Sequence, residues 1–295
     1  MSREAAGDGS SPVYFLHGLL GTAYGHFGAQ IAAWSGRRRV VPVDLPGHGR
    51  CPVDAGPDYL DTALEYVAAL VDHFGPGHLV AASHLGGPLA VRLAEARPEL
   101  VESLVLTGFF PGADRESFAR LLDGFGVLVE ENPELAAEYD RLHPGRWRTT
   151  LAEFSGHATA EFDDRARIAA ERLGALGCDV LLVNGTLKSA EREAALAARS
   201  YGPRVHGVLL DGAGHIASHD APEAFTAAVE EFWLGAALRA LLRENDPARP
   251  LDSLESVTAL SYLTRKGLAQ REPAGDRPST IEGWVAWALR RSLVS

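Results

Sequence analysis

Cysteine is nearly absent: Cys51 and Cys178 are the only two in 295 residues. Two thiols cannot build a disulfide framework, and neither has metal-ligating neighbours, so both read as bystanders in a reducing compartment and no metal is expected. Positive charge is also scarce. The 28 Lys and Arg against 39 Asp and Glu leave a net charge of -11, and the one basic run is Arg37-Arg38-Arg39. That balance argues against nucleic acid or an anionic membrane as the main partner. No apolar run approaches the roughly 20 residues of a spanning helix. The opening MSREAAGDGSS has neither the charged nor the apolar region of a leader. The expectation is a cytoplasmic protein with residues 1–11 disordered. Its 46% hydrophobic content suffices for an ordinary core, and its length allows one large domain plus a small one.

What is present is an alternation. Val13 to Leu16 is a short apolar run ending in His17-Gly18, and Val40 to Val43 is another ending in Asp44-Leu45-Pro46-Gly47-His48-Gly49. Both read as buried strands followed by glycine-rich turns. Leu60, Leu64, Val67, Val71 and Phe74 recur at helical spacing, and Gly75-Pro76-Gly77 stops that helix. A strand from Leu79 to Ala82, a helix from Gly86 to about Ala96 and a strand from Leu104 to Thr107 follow. From about 109 to 177 the alternation gives way to a helical, aromatic stretch with Phe118, Phe125, Trp147, Phe154 and Phe162, which reads as an inserted cap. Strands at Val180–Asn184 and Val205–Leu210 then alternate with helices at Ala190–Ala198 and from Pro222 to about Trp233. This order implies a doubly wound, mostly parallel sheet of the α/β class. Ligands bind such sheets at the carboxyl ends of the strands, where His17, His84, Lys188 and His215 all lie.

The stretch Val80 to Leu93, VAASHLGGPLAVRL, reads as strand, tight turn and helix. In the nucleophile elbow G-x-S-x-G, a serine sits on a strained strand-to-helix turn. Here the turn reads Ala82-Ser83-His84-Leu85-Gly86-Gly87, and two registers stay open. If the glycines set the register, His84 holds the nucleophile position. If Ser83 is the nucleophile, one extra residue separates it from the glycines.

Four segments together make the chain resemble the α/β-hydrolase family over about residues 12 to 236: FLHGLLGT (15 to 22), VDLPGHGR (43 to 50), LGGPLAVRLA (85 to 94) and LLDGAGHIASHDAPEAF (209 to 225). The resemblance implies an α/β-hydrolase fold with a helical cap. It implies an oxyanion hole from the backbone N–H of Leu19 and of the residue after the nucleophile, which is Leu85 if His84 holds the elbow. It also puts His215 in the place of the catalytic histidine. The place where the family often carries its acid holds Lys188, after Asn184-Gly185-Thr186-Leu187, and an ammonium cannot orient an imidazolium. Asp114, Glu191 or Asp211 would substitute if the loops bend favourably. His17 reads as support for the oxyanion turn, and Asp44 and His48 as residues shaping their own turn.

The remaining residues, 237–295, resemble a shortened acyl carrier protein. The likeness rests on Asp252-Ser253-Leu254 with Val257 and Leu263, plus a closing helix from Thr280-Ile281. It implies phosphopantetheine on Ser253. Two other readings stand beside it: a degenerate carrier-like docking or dimer element, and a plain helical extension opened by a capping box between Asp252 and Glu255.

Three functions are weighed. The leading expectation is proton-transfer chemistry by His215 with His84, with Ser83 and Lys188 as further candidates: cyclisation, epimerisation or elimination on a small or carrier-tethered substrate, with no cofactor beyond any on Ser253. The first alternative is a serine hydrolase, thioesterase or acyltransferase using Ser83, with a small-molecule or acyl-thioester substrate and a carrier protein as a candidate partner. The second is a binding protein without catalysis.

Overall fold

The computed structural model describes residues 11–268 and 278–292. Apart from Ser11, the segment expected to be disordered lies outside the described residues. The chain divides into two compact units, Met1–Thr226 and Ala227–Ser295. The sequence predicts a boundary at 236/237. One uninterrupted helix runs through both positions instead, from Pro222 to Leu242.

The first unit is built on six parallel strands: β1 (Val13–Leu16), β2 (Val40–Val43), β3 (Gly77–Ala82), β4 (Val101–Thr107), β5 (Asp179–Gly185) and β6 (Val205–Leu210). Their order across the sheet is β2-β1-β3-β4-β5-β6. Helices connect them: α1 (Ala23–Trp34), α2 (Tyr59–Phe74), α3 (Ser83–Ala96), then the cap helices α4 (Arg115–Glu131), α5 (Pro133–Leu142), α6 (Trp147–Ala160) and α7 (Ala170–Ala175). After the cap come α8 (Ser189–Tyr201), the short α9 (Ala217–Asp220) and α10 (Pro222–Leu242). All six strands run the same way, so the turns after them share one edge of the sheet. The strand order reverses between β1 and β3, which opens a crevice at that edge where ligands bind in such folds.

Burial follows the period of each element. β1 is buried along its whole length, as a strand covered on both faces must be. Along α2 the residues Leu60, Ala63, Val67 and Val71 are buried at helical spacing, and Gly75 ends the helix at φ 99. These side chains join one core with Tyr14, Leu16, Leu79, Leu104, Leu106 and Leu182. The cap aromatics do not form a layer apart: Phe118, Phe154 and Phe162 belong to this same core. Trp147 belongs to a smaller cluster with Leu20 and Val129, on which Phe125 packs.

In the second unit, the later part of α10 is followed by α11 (Ser253–Arg265) and α12 (Ile281–Ser292). Leu234, Leu238, Ala259, Leu263, Ile281, Trp284, Val285 and Ala288 form its apolar core. Asp252 caps α11 through the Glu255 N–H, while Glu255 returns a bond to the Asp252 N–H, so the capping box is formed. Arg249 bridges Glu255 and Glu244 in front of that cap. Among the described residues, no helix is long and apolar enough to cross a membrane.

Candidate active site

The ladder of β3 with β4 ends at Ala82 opposite Thr107, and the chain turns at once. Ser83 takes up the turn with φ 60, a left-handed conformation that an L-residue with a side chain seldom adopts. It is also the first residue of α3. The strand end therefore sets the turn, and the helix absorbs the extra residue. Leu85, which the glycine register would place after the nucleophile, is buried in the core. Gly86 lies under the β1 end, where an added Cβ would sit 2.4 Å from the Leu16 carbonyl oxygen. Gly87 packs on Phe109, where an added Cβ would lie 2.9 Å from the ring, so the glycine pair answers to packing against β1 and Phe109 rather than to the position of the elbow.

Ser83 Oγ is 3.0 Å from His215 Nε2. His215 follows β6, and its Nδ1–H donates to Glu191 Oε1 at 2.6 Å. Three segments distant in sequence converge here for identifiable reasons. The loops after β5 and β6 are zipped by Thr186 N–H to the Leu210 carbonyl and Leu187 N–H to the Ala213 carbonyl, both 3.1 Å. Asn184, buried at the end of β5, donates from Nδ2 to the Phe109 and Glu191 carbonyls, each at 2.8 Å, and so holds the α8 start beside the loop after β4. Gly108 leaves room for the histidine: at φ 59, a Cβ there would lie 2.4 Å from the His215 carbonyl oxygen and 3.1 Å from its ring.

Glu191 is buried, and its second oxygen, Oε2, has no partner among the described residues. Its place in the first turn of α8 sets its charge against the positive end of the helix. The carboxylate thus sits three residues beyond Lys188. Lys188 itself is exposed at the cap of α8, and its side chain makes no hydrogen bond or ion pair among the described residues. Of the other acids considered, Asp114 caps α4 through the Ser117 N–H, and Asp211 accepts from Thr186 Oγ1 at 3.4 Å on the surface.

Opposite the triad chain lies the turn after β1. An added Cβ on Gly18 would be 2.9 Å from Ser83 Cβ, so this turn abuts the serine. Imidazoles hold it. His17 donates from Nδ1 to the Gly18 carbonyl at 2.8 Å and accepts the Leu45 N–H at 2.9 Å. His26 accepts the Gly18 N–H and His48 the Leu20 N–H, both at 3.1 Å. Leu19 lies between, and its N–H has no partner among the described residues. Each imidazole offers a lone pair to an amide and is therefore neutral. Burial agrees, pushing His17 down to about 4, His26 to about 3 and His48 well below the ordinary histidine range. Asp44 completes the frame by accepting the Ala23 and Arg50 N–H groups.

His84 stands beside the serine, on α3. Its ring meets Phe110, Phe118 and Phe109 at centroid distances of 5.1, 6.0 and 6.2 Å and stacks over His215 at 6.5 Å. Burial, with His215 adding a smaller effect, lowers its pKa to about 4. With Ser83 in the turn, the amide that follows it is that of His84. It belongs to the first turn of α3, where a helix leaves its N–H groups without intrahelical partners. Ser253, in the second unit, is the exposed first residue of α11.

The model of the alpha/beta hydrolase family matches residues 13–229. The chain belongs to that family. Among solved structures, NosK from Streptomyces actuosus is 53% identical with a TM-score of 0.74, over 76% of this chain and 97% of NosK. The putative carbamate hydrolase RutD of Agrobacterium fabrum is 30% identical over 78% of this chain and 95% of that protein. Pimeloyl-[acyl-carrier protein] methyl ester esterase of Nitrosomonas europaea is 37% identical over 57% of this chain and 61% of its own length. Of the first curated relatives that it matches, the chain spans only about a third of the length. The fold expected from the sequence, a doubly wound parallel sheet with a helical cap, is the one the alpha/beta hydrolase family carries.

Proposed function

We propose that this chain is a serine enzyme of acyl transfer, in which Ser83 attacks the carbonyl carbon of an ester or thioester. The observation that carries this reading is the continuous chain Ser83 Oγ, His215, Glu191, at 3.0 and 2.6 Å. His215 Nε2 takes the serine proton as the Oγ–C bond forms, and Glu191 holds the ring with Nδ1 protonated and offsets the imidazolium charge. The carbonyl oxygen, now negative, lies within reach of the N–H groups of Leu19 and His84. His215 then returns the proton to the leaving alcohol or thiol as the C–O or C–S bond breaks. Water or another nucleophile releases the acyl group from Ser83 by the same steps in reverse.

In this reading Leu85 gives up the oxyanion role to His84, and Lys188 has no part in the chemistry. The curated relatives act, by name, on a carbamate and on a methyl ester of a carrier-linked acyl group. Small acyl esters and methyl esters of carrier-linked acyl groups are accordingly the substrates to try first, with acyl thioesters after them. For the second unit, the exposed hydroxyl of Ser253, beside exposed Leu254 and Val257, leaves room for a phosphopantetheine attachment. That group would supply a thiol to carry an acyl chain. Asp252 is committed to the helix cap, so the same residues also serve a plain helical extension.

The test is intact mass and peptide mapping after treatment with a fluorophosphonate probe. One adduct per chain on Ser83, absent from Ser83→Ala and from His215→Ala, is the expected result. Turnover of an activated ester should fall by about 10³- to 10⁶-fold in both variants. A folded wild-type protein that takes up no adduct would leave proton transfer or binding as the surviving readings. Coexpression with a phosphopantetheinyl transferase, followed by the mass of the peptide holding Ser253, separates a carrier from an unmodified extension.

A further inference from the structure

The turn that offers the Leu19 N–H is held from outside by the cap. His143, between α5 and α6, is fully buried. Its Nε2–H donates to the Leu20 carbonyl at 2.9 Å, and its Nδ1 accepts the Gly49 N–H at 2.8 Å. Leu20 thus has both backbone groups on imidazoles, its N–H on His48 and its carbonyl on His143, while it sits at φ 52. Its side chain lies in the apolar cluster with Val129 of α4 and Trp147 of α6. The same cap segment holds the loop after β2. Arg146 donates to the Gly49 and Cys51 carbonyls at 2.5 and 2.8 Å, and Thr150 Oγ1 donates to the Gly47 carbonyl at 3.1 Å.

The peptide between Gly18 and Leu19 is planar and trans, so its carbonyl and N–H point in opposite directions. His17 and the Gly21 N–H hold that carbonyl at 2.8 and 3.0 Å, which sets the direction of the Leu19 N–H. The next fixed point along the chain is Leu20. A left-handed residue without such anchors relaxes readily, and the turn would rotate with it.

We infer that His143 is a positioning residue through which the cap aims the oxyanion donor at Leu19. The inference rests on the reading of Ser83 as nucleophile. His143 touches no reacting atom; it acts through Leu20 and Gly49. Because it comes from the cap, the site closes correctly around Ser83 only when the segment from 143 to 150 is seated.

Two substitutions separate the two bonds of the ring. His143→Asn keeps an acceptor near the Nδ1 position for Gly49 but has no donor for Leu20; His143→Gln keeps a donor near the Nε2 position. His157→Leu is the control. His157, on α6, accepts the Leu60 N–H at 3.1 Å and so ties cap to core without a bond of its own to the turn after β1. The readouts are kcat and KM on an activated ester, the rate of fluorophosphonate labelling of Ser83, and Tm. Loss of a transition-state contact lowers kcat with KM nearly unchanged. His143→Asn should lose about 10- to 10³-fold in kcat and in labelling rate, the range for a misplaced oxyanion donor. His143→Gln should recover part of that loss, and His157→Leu should keep wild-type kcat whatever its Tm. Wild-type kcat and labelling in a folded His143→Asn protein, or an equal loss in His157→Leu, would overturn the inference. Failure of the wild-type protein to label at all would overturn the Ser83 reading and this inference with it.

Discussion

The two sides of Ser83 are held in opposite ways. On the triad side, one imidazole and one carboxylate make a chain of two hydrogen bonds, and the chain ends in a buried oxygen, Glu191 Oε2, that no described group satisfies. On the oxyanion side, His17, His26, His48 and His143 hold the backbone of a single turn, and cap and loop residues hold the imidazoles in place. In the acyl-transfer reading, the group that moves a proton is left free to do so. In that reading, the group that only points is pinned from several directions.

The sharpest way to break the triad side is Glu191→Gln. The amide keeps the volume but gives up the charge, and an NH2 facing His215 Nδ1 favours the wrong tautomer. Turnover should fall by about 10⁴-fold, as an acid-to-amide change costs in such a triad. Stability should move far less, because the carboxylate has only one of its oxygens satisfied. Measuring kcat and Tm on the same preparation checks both. A kcat within about tenfold of wild type would mean that Glu191 merely borders the site.

The oxyanion side should show itself in acid. His17 titrates near 4 and His26 near 3 when folded, against about 6.5 in an unfolded chain. Between pH 6.5 and 4 the unfolded chain binds protons that the folded one refuses, so stability is full above about 6.5 and declines as the pH falls. The slope is about 1.4 kcal/mol per pH unit for each such imidazole. A Tm that declines steadily from pH 7 to pH 5 is expected. A flat Tm over that range would show that these rings are not held neutral.

Much of this arrangement was written in local patterns. Strands such as Val13–Leu16 and Val40–Val43 stand out because short apolar runs end in glycine-rich turns, and the structure matches them residue for residue. Helix α1 is not among the elements the sequence predicts. It carries Gly25 and Gly28, both poor helix formers, and is bent at Phe27, where φ is -130 and ψ is 19, although its buried residues Ala23, Phe27, Ile31 and Trp34 keep helical spacing. The sequence predicts the start of α3 at Gly86, whereas the helix begins at Ser83 and the paired glycines fall within it. They are helix interior here, Gly86 against the end of β1 and Gly87 against the Phe109 ring. The family spacing puts Lys188 in the acid's place, and a helix that begins just after it presents Glu191, one of the three acids the sequence offers instead, from its third position. An acidic residue in the first turn of a helix that follows a strand was the available signal. His143 had none: its partner Leu20 is 123 residues away, and only the folded cap brings them together.

His84 offers the smallest effect and the cleanest discrimination between proton transfer and acyl transfer. In the proton-transfer reading it shares the chemistry with His215, so His84→Ala should be as damaging as His215→Ala, and Ser83→Ala should matter little. In the acyl-transfer reading only the His84 backbone N–H takes part, and alanine keeps it. The ring packs against Phe109, Phe110 and Phe118 and makes no hydrogen bond among the described residues. Its removal should cost roughly 1 kcal/mol of stability, a usual figure for a partly buried side chain, and change kcat by less than about tenfold. Comparing His84→Ala, His215→Ala and Ser83→Ala in one assay gives two opposite rank orders. Equal collapse of both histidine variants with an active Ser83→Ala protein would transfer the chemistry from the serine to the stacked imidazoles.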